Sequence, residues 1–338
     1  MKAGPQNAIT DIAGLRVGHA HAPVLKSGST VLLVESDTNV ASVHVAGGAP
    51  GTRDIALLAP ENTVQSVDAL VLSGGSAFGL DSASGVQMAL RRMGRGFAVG
   101  DQRVPIVPAA ILFDLINGGN KGFDENPYAA LGAAAVKAAA HTTPVGTIGA
   151  GYGALTGGPL GGLKGGLGTA STILSDGSTI GALVAVNALG SPVTGDGPHL
   201  RAAPFEILSE FGGLGVGSST DSDRLDIKFA DQQNPGANTT IGIIATDATL
   251  TKGQAKRLAI AAHDGFAHAL WPAHTPLDGD LIFGLSTCDR PANDDMGWQI
   301  ELAAAAASTM ARAIAQGVHA AKPADNDLFP CWSALSAD

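Results

Sequence analysis

With 338 residues, 45% of them hydrophobic and only 15% charged, and a mean hydropathy of +0.20, the chain can build a large buried core, which excludes a solvated or disordered polypeptide. A net charge of −10 with no basic stripe excludes nucleic acid as an expected partner. Two cysteines, Cys288 and Cys331, no apolar leader in MKAGPQNAITDIAGLRVGH and no uninterrupted apolar stretch of transmembrane length argue against a disulfide scaffold, export or a membrane span, and a cytoplasmic protein is expected.

Aromatic residues make up 4% of the chain against 46 glycines, so the core must be filled by Ala, Val, Ile and Leu with backbones brought close together. Short, branched, apolar runs at 29–34, 41–45, 69–72 and 180–186, each bounded by Gly or Asp, predict buried strands. Ala-rich stretches at 81–93, 128–140, 251–270 and 299–314 predict helices. The third is the best marked: Thr251 and Gln254 form a T-x-x-Q capping box, and Leu258, Ala262, Phe266 and Ala269 follow at helical spacing. Strands and helices alternate without a strict βαβ rhythm, which favours a layered mixed α/β architecture with helices on both faces of the sheets. The Gly-rich runs 146–168 and 212–217 and the polar stretch 218–237 predict loops.

The run DQQNPGAN is polar and turn-prone, and TTIGIIAT after it is apolar and β-branched, so a loop enters a buried strand between Asn238 and Thr239. A hydroxyl residue at that step has a specific chemistry open to it. Its Oγ can attack the carbonyl of residue 238, and hydrolysis of the resulting ester frees a new α-amino group. That amine, with an ordinary pKa of about 7.7–8.0, is poised to take the Oγ proton at neutral pH. The same N-T-T triplet also serves simple turn chemistry at many loop-to-strand steps.

Seven ordered blocks, NAITDIAGLRVGH, VHVAGGAPGTRD, ALVLSGGSAFGLDSASGV, RVPIVPAAILFDL, GGLKGGLGTAS, GANTTIGIIATDA and LDGDLIFGLST, resemble the DmpA-like peptidase family. That family includes L-aminopeptidase D-esterase/amidases, β-aminopeptidases and the nylon-oligomer hydrolase NylC. Around the junction the likeness to NylC is close, with Asn238, Thr239 and Thr240 followed by a capped helix and then Asp278-Gly279-Asp280. The resemblance implies a four-layer αββα fold of the DmpA/ArgJ type and a single domain, 1–338, autocleaved into chains 1–238 and 239–338. It also implies no cofactor or metal, and a homo-oligomer, a tetramer of processed heterodimers. Aminopeptidase members often carry a serine nucleophile and a Ser/Glu pair where this chain has Asp278 and Asp280.

By the same resemblance Thr239 is the nucleophile, and Asp278 and Asp280 hold its amine and Oγ; the residues alone favour reading D-G-D as a turn entering the strand LIFGLST. Lys164 is the only cation between Gly146 and Ala170, so burial would depress its pKa or a carboxylate would hold it charged. The resemblance puts it beside the nucleophile, paired with Asp278 or Asp280. Asn187, at the end of IGALVAVN, is the oxyanion donor the family implies, with a tyrosine as a second donor. Of the two tyrosines, Tyr128 fits the family setting better than Tyr152.

Competing chemistries are excluded by spacing. GGPLGGLKGG lacks the P-loop order and GSAFGL the third glycine of a dinucleotide fingerprint. His263 and His268 are five apart on one helix, without an H-E-x-x-H motif, and no G-x-S-x-G surrounds Ser73 or Ser76. The expected activity is hydrolysis of small peptides, amides or β-peptides through an acyl-enzyme. The alternatives are an endo-acting nylon-oligomer hydrolase, an ornithine-acetyltransferase-like acyltransferase and a non-cleaving binding protein.

Overall fold

The structure, a computed structural model, describes residues 1–36, 38–218, 224–229 and 238–335. Strands β1 (Leu15–Ala22), β2 (Ser27–Val34), β3 (Val40–Val45), β4 (Gly51–Arg53) and β5 (Ala69–Ser73) lead into helix α1 (Asp81–Arg92). The hairpin β6 (Phe97–Val99) and β7 (Gln102–Val104), strand β8 (Ala109–Ile111) and helix α2 (Tyr128–Lys137) follow. Then come β9 (Leu155–Thr156), β10 (Leu163–Lys164), β11 (Gly166–Ile173), β12 (Thr179–Asn187) and β13 (Thr239–Ala248). Helix α3 (Lys252–Ala269), strand β14 (Leu281–Arg290) and helix α4 (Met296–His319) complete the layers.

Two five-stranded sheets, β1-β2-β5-β8-β4 and β11-β12-β13-β14-β3, lie face to face. Leu15, Leu32, Leu70 and Leu72 of the first pack against Leu183, Ile241, Ile243 and Phe283 of the second. On the outer face of the first sheet, Val31, Leu33 and Val71 meet Ala83, Val86 and Leu90 of α1 and Ala135 of α2. On the outer face of the second, Val184, Ile244 and Ile282 meet Phe266 of α3 and Met310 and Ile314 of α4. The order of layers is therefore α, β, β, α, as expected. Strands buried on both faces explain why their sequences run apolar without alternation.

The expected strands and helices are present, with small changes of boundary. Helix α3 begins with the capping box, Gln254 N–H donating to Thr251 Oγ1 at 3.2 Å and Thr251 N–H to Gln254 Oε1 at 2.8 Å. Helix α4 starts three residues before the expected position, because Asp295 caps it by accepting from Trp298 N–H at 2.9 Å. The larger correction concerns 146–168, expected as a loop: it holds β9, β10 and the start of β11. Some of its glycines turn the chain, Gly146, Gly158 and Gly161 having positive φ, and others serve close approach; a Cβ on Gly168 would stand 1.8 Å from the carbonyl oxygen of Ala313 in α4. The expected loop 212–217 has no regular element, and most of 218–237 lies outside the described residues. None of the described helices is long and apolar enough to cross a membrane.

One buried ion pair ties the N-terminal segment to the second sheet and α4. Arg312 donates to Glu210 at 2.5 and 2.8 Å, to the Ser171 carbonyl at 2.9 Å and to Asn7 Oδ1 at 2.6 Å. Burial alone would raise the pKa of Glu210, but the Arg312 hydrogen bonds and charge outweigh it and lower it. Removing one partner strands the other in the core, so Arg312→Met should cost about 3–5 kcal/mol. Urea unfolding checks this, and the Arg312→Met/Glu210→Gln double variant should lose less than the two single losses combined.

Candidate active site

The junction sits where β12, β13 and the approach to β14 meet. Strand β13 pairs antiparallel with β12, placing Thr239 opposite Asn187, and parallel with β14, with Ile241 opposite Leu281. The backbone of Asn238 is fixed on both sides by the turn before β14: its N–H donates to Leu277 O at 3.0 Å and its carbonyl accepts from Gly279 N–H at 2.7 Å. Thr239 is 2% exposed. Its hydroxyl donates to the Asn238 carbonyl oxygen at 2.5 Å and accepts from Gly279 N–H at 3.2 Å. A Cβ on Gly279 would stand 2.6 Å from Thr239 Oγ1, which explains the glycine between the two aspartates.

Asp278 and Asp280 are both buried. Asp280 accepts from Thr240 N–H at 2.7 Å with one oxygen and contacts His274 Nδ1 at 2.8 Å with the other. Asp278 accepts from Thr275 N–H at 2.8 Å and Thr275 Oγ1 at 2.6 Å, and more weakly from Leu189 N–H at 3.4 Å. Burial and the neighbouring Asp280 charge push the Asp278 carboxyl up. In the continuous chain neither carboxylate touches Thr239 Oγ1; both hold the backbone around it.

Of the residues singled out from sequence, Asn238, Thr239, Asn187, Asp278 and Asp280 come together. The Asn187 amide is held by residues outside the strand pair, Oδ1 accepting from Leu155 N–H at 2.9 Å and Nδ2 donating to Phe113 O at 2.9 Å. Lys164 is buried, but its expected pairing with Asp278 or Asp280 is not found: Nζ lies 2.7 Å from Asp327, which also pairs with Lys26 at 2.5 Å. The reason is direction, because the short β9–β10 pairing carries the lysine head group toward the C-terminal segment, where the Lys164 N–H donates to Pro330 O at 2.8 Å. Tyr128 is fully buried, and its hydroxyl donates to Ser27 Oγ at 2.9 Å, with no hydrogen bond to the junction residues among those described. Tyr152 stacks on His21 at 4.4 Å.

Three residues escaped the sequence reading. Lys228, inside the expected polar loop, is buried, and its Nζ donates to Leu155 O at 2.9 Å and to Asn187 O and Oδ1 at 3.1 Å each. The signal was the alternation L-D-I-K-F, with Leu225, Ile227 and Phe229 flanking it. His274 bridges Asp280 to His263 Nδ1, 3.3 Å from its Nε2, and His263 Nε2 lies 3.2 Å from the His44 carbonyl. Asp114 is 2% exposed and accepts from Gly75 N–H at 2.8 Å; burial pushes its carboxyl up. Among the described residues no group of three or more His, Cys, Asp or Glu has the geometry to hold a metal ion.

A family model described as peptidase family S58 matches residues 7–327. A Mycobacterium bovis protein named as an uncharacterized aminopeptidase is 41% identical over 96% of this chain and 98% of its own length. A 6-aminohexanoate-oligomer endohydrolase of Kocuria sp. is 27% identical over 82% of this chain and 74% of its own. The L-aminopeptidase D-Ala-esterase/amidase of Ochrobactrum anthropi, described as a variant of the Ntn hydrolase fold, superposes with a TM-score of 0.66 at 22% identity, covering 97% of this chain and 90% of its own. The architecture of this chain is thus an Ntn hydrolase fold.

The histidine pair has opposite charge preferences. Burial, with the charge of His274, pushes the His263 pKa down to about 3. Burial also opposes charging of His274, but the hydrogen bond and charge of Asp280 outweigh it and raise its pKa. Ring ¹⁵N titration should therefore show His263 neutral from pH 5 to 8 while His274 holds its proton above its ordinary range. The sign for stability follows: the His274⁺–Asp280 contribution is complete below about pH 6.5 and lost as pH rises through the raised pKa. His274→Gln should accordingly destabilise more at pH 5.5 than at pH 9, measured by denaturant midpoint at each pH.

Proposed function

The chain belongs to peptidase family S58 and is a hydrolase of peptide or amide bonds, and from the geometry at residue 239 we propose that it is made as a precursor that cuts itself between Asn238 and Thr239. The observation that carries this reading is the hydroxyl of Thr239 held 2.5 Å from the Asn238 carbonyl oxygen while Gly279 N–H donates to that oxygen at 2.7 Å. A carbonyl already hydrogen-bonded by a backbone donor is prepared for the negative charge that attack places on its oxygen.

In the self-cleaving step Thr239 Oγ bonds to the carbonyl carbon of Asn238. The C–N bond to Thr239 breaks, its nitrogen takes a proton and becomes the α-amine, and an ester links the two pieces. Water then hydrolyses the ester, leaving a carboxylate on Asn238 and the hydroxyl on Thr239. In turnover the free α-amine accepts the Oγ proton, Oγ attacks the substrate carbonyl, and the leaving amine departs with a proton. Water releases the acyl group. In this reading Gly279 N–H, which already donates to the Asn238 carbonyl, serves the oxyanion, and Asn187, the cross-strand neighbour of Thr239, is the second donor through its amide once that amide turns from Phe113 O. Asp278 and Asp280 hold the surrounding backbone and supply the negative charge that favours a protonated neighbour. Lys164 and Tyr128 act, in this reading, at a distance, by fixing the C-terminal segment and the Ser27 region.

The substrates are small peptides or amides. The 41% identical relative named an aminopeptidase supports an exo-acting enzyme, and the 27% identical endohydrolase is the second reading. Self-association into processed oligomers accompanies this proposal through the family resemblance.

Mass spectrometry of the purified protein should find two pieces meeting at 238/239. Thr239→Ala should leave one uncut, inactive chain, whereas Thr240→Ala should still be cut at the same bond; cleavage in the first variant would overturn the assignment. Gly279→Ala forces a methyl into Thr239 Oγ1 and should slow cleavage at least about 100-fold, a loss of about 2.7 kcal/mol of transition-state stabilisation. Time-resolved electrophoresis reads that rate.

A further inference from the structure

The turn before β14 carries a histidine whose bonds reach the junction through Asp280. His274 has a left-handed backbone, φ 56°, a region uncommon for residues other than glycine. With that backbone its own N–H and its ring Nδ1 meet one oxygen of Asp280, at 3.1 and 2.8 Å. The other oxygen accepts from Thr240 N–H at 2.7 Å. An uncommon conformation that brings two donors onto one buried carboxylate is a device for holding that carboxylate.

The bonds on the far side of the ring fix its charge. Carbonyl and carboxylate oxygens only accept, so His263 Nε2, 3.2 Å from the His44 carbonyl, and His274 Nδ1 each carry a proton. The two rings meet through His263 Nδ1 and His274 Nε2 at 3.3 Å, and one of those nitrogens must donate. The chain of bonds therefore holds one proton more than two neutral rings do, and the charge is favoured on His274, which touches the carboxylate. Burial acts in the same direction by keeping His263 neutral. Facing His274 are Asp278 and Asp280 from its own turn, His263 from α3 and His44 from β3. Lys256 lies beside His44, and Lys228 is a second cation within reach of the two aspartates.

A free α-amine at Thr239 would sit in a field that His274 alters. Asp280 Oδ1 is 2.7 Å from Thr240 N, and consecutive backbone nitrogens are roughly 3.5 Å apart, so the carboxylate stands within about 6 Å of that amine. Left uncompensated, this charge, with Asp278 beside it, would hold the amine as an ammonium, which cannot take the Oγ proton. We propose that His274 is a positioning residue of the hydrolase: its imidazolium holds Asp280 on Thr240 N–H and offsets that carboxylate's charge, so that the Thr239 amine stays a base at neutral pH. The inference rests on self-cleavage at 238/239. His263 serves by accepting from His274 Nε2, which keeps both ring N–H groups engaged.

The test replaces His274 by asparagine, whose amide nitrogen takes the place of ring Nδ1 and which suits a left-handed backbone, so the bond to Asp280 is kept while the charge is lost. On the processed enzyme with an amino-acid p-nitroanilide, the acidic limb of kcat/KM against pH should move up by about one pH unit in His274→Asn. The profiles should converge on the alkaline side, where the amine is neutral in both. Loss by one factor at every pH would mark a prop for the fold and overturn the proposal, and so would an unshifted limb. A second measurement needs no variant. The pH dependence of carbamoylation by cyanate should place the titration of the wild-type Thr239 α-amine at or below its ordinary range of about 7.7–8.0. Titration above that range overturns the offset by His274, even if His274→Asn stays uncut. A wild-type chain found uncut at 238/239 would sink the self-cleavage reading instead.

Discussion

The N–H of Gly279 donates to the carbonyl of Asn238, and the organisation of the junction follows from that bond. At Asn238 the chain stands at the start of the middle strand of a buried sheet, where unpaired backbone groups are costly. The turn 275–280 meets that demand: Leu277 O takes the Asn238 N–H, Gly279 N–H takes the carbonyl, and Asp280 takes the N–H of Thr240. Each of these bonds also fixes an atom of the candidate chemistry. The same pairing needs residue 279 to lack a side chain, and it sets Thr239 Oγ1 against the carbonyl before it.

Charge is the second constraint. Two aspartates two residues apart are buried together, an arrangement that repulsion opposes unless hydrogen-bond donors and cations surround them. Asp280 has His274, Asp278 has Thr275, and Lys228 stands within electrostatic reach of both. His263 buffers this cluster on its far side as a neutral ring wedged between His274 and the His44 carbonyl. The positive members come from a turn and from the segment upstream of the junction, so the balance depends on chain connectivity as well as on composition.

Individual strands and helices were legible because periodicity and capping are local, whereas the four-layer order was implied by the family resemblance. The capping box of Thr251 and Gln254 and the β-branched run beginning at Thr239 define their elements without help from the rest of the fold. The junction itself was legible as a change from turn-forming to β-branched residues. What was not legible depends on direction in three dimensions. Lys164 read as an isolated cation in a glycine run, and the β9–β10 pairing sends its head group to Asp327; Lys228 drew no notice in a polar stretch, and only the fold brings it to Leu155 and Asn187. His274 is hidden by its setting in W-P-A-H-T-P, which reads as a turn. Its pairing with Asp280 arises because the turn folds back on itself. Gly-rich 146–168 was read as loop because glycine signals a turn in sequence and close helix–sheet contact only in space.

A cut at 238/239 would divide the site between two pieces, since Asn187 and Leu155 lie before the bond and Thr239, Asp278, Gly279 and Asp280 after it. The division need not loosen the fold. Strand β13 keeps eight register positions with β12, from Thr239 opposite Asn187 to Thr246 opposite Ile180. Strand β14 pairs with β3, and α4 packs on β11 and β12. The downstream piece thus supplies two of five strands in one sheet and both helices on its outer face, all buried against upstream residues. Hydrophobic burial on that scale holds the pieces together without the peptide bond. The freedom gained on cutting is confined to the ends at the junction, the N-terminus of Thr239 and the segment ending at Asn238. Those are the groups that self-cleavage needs to release.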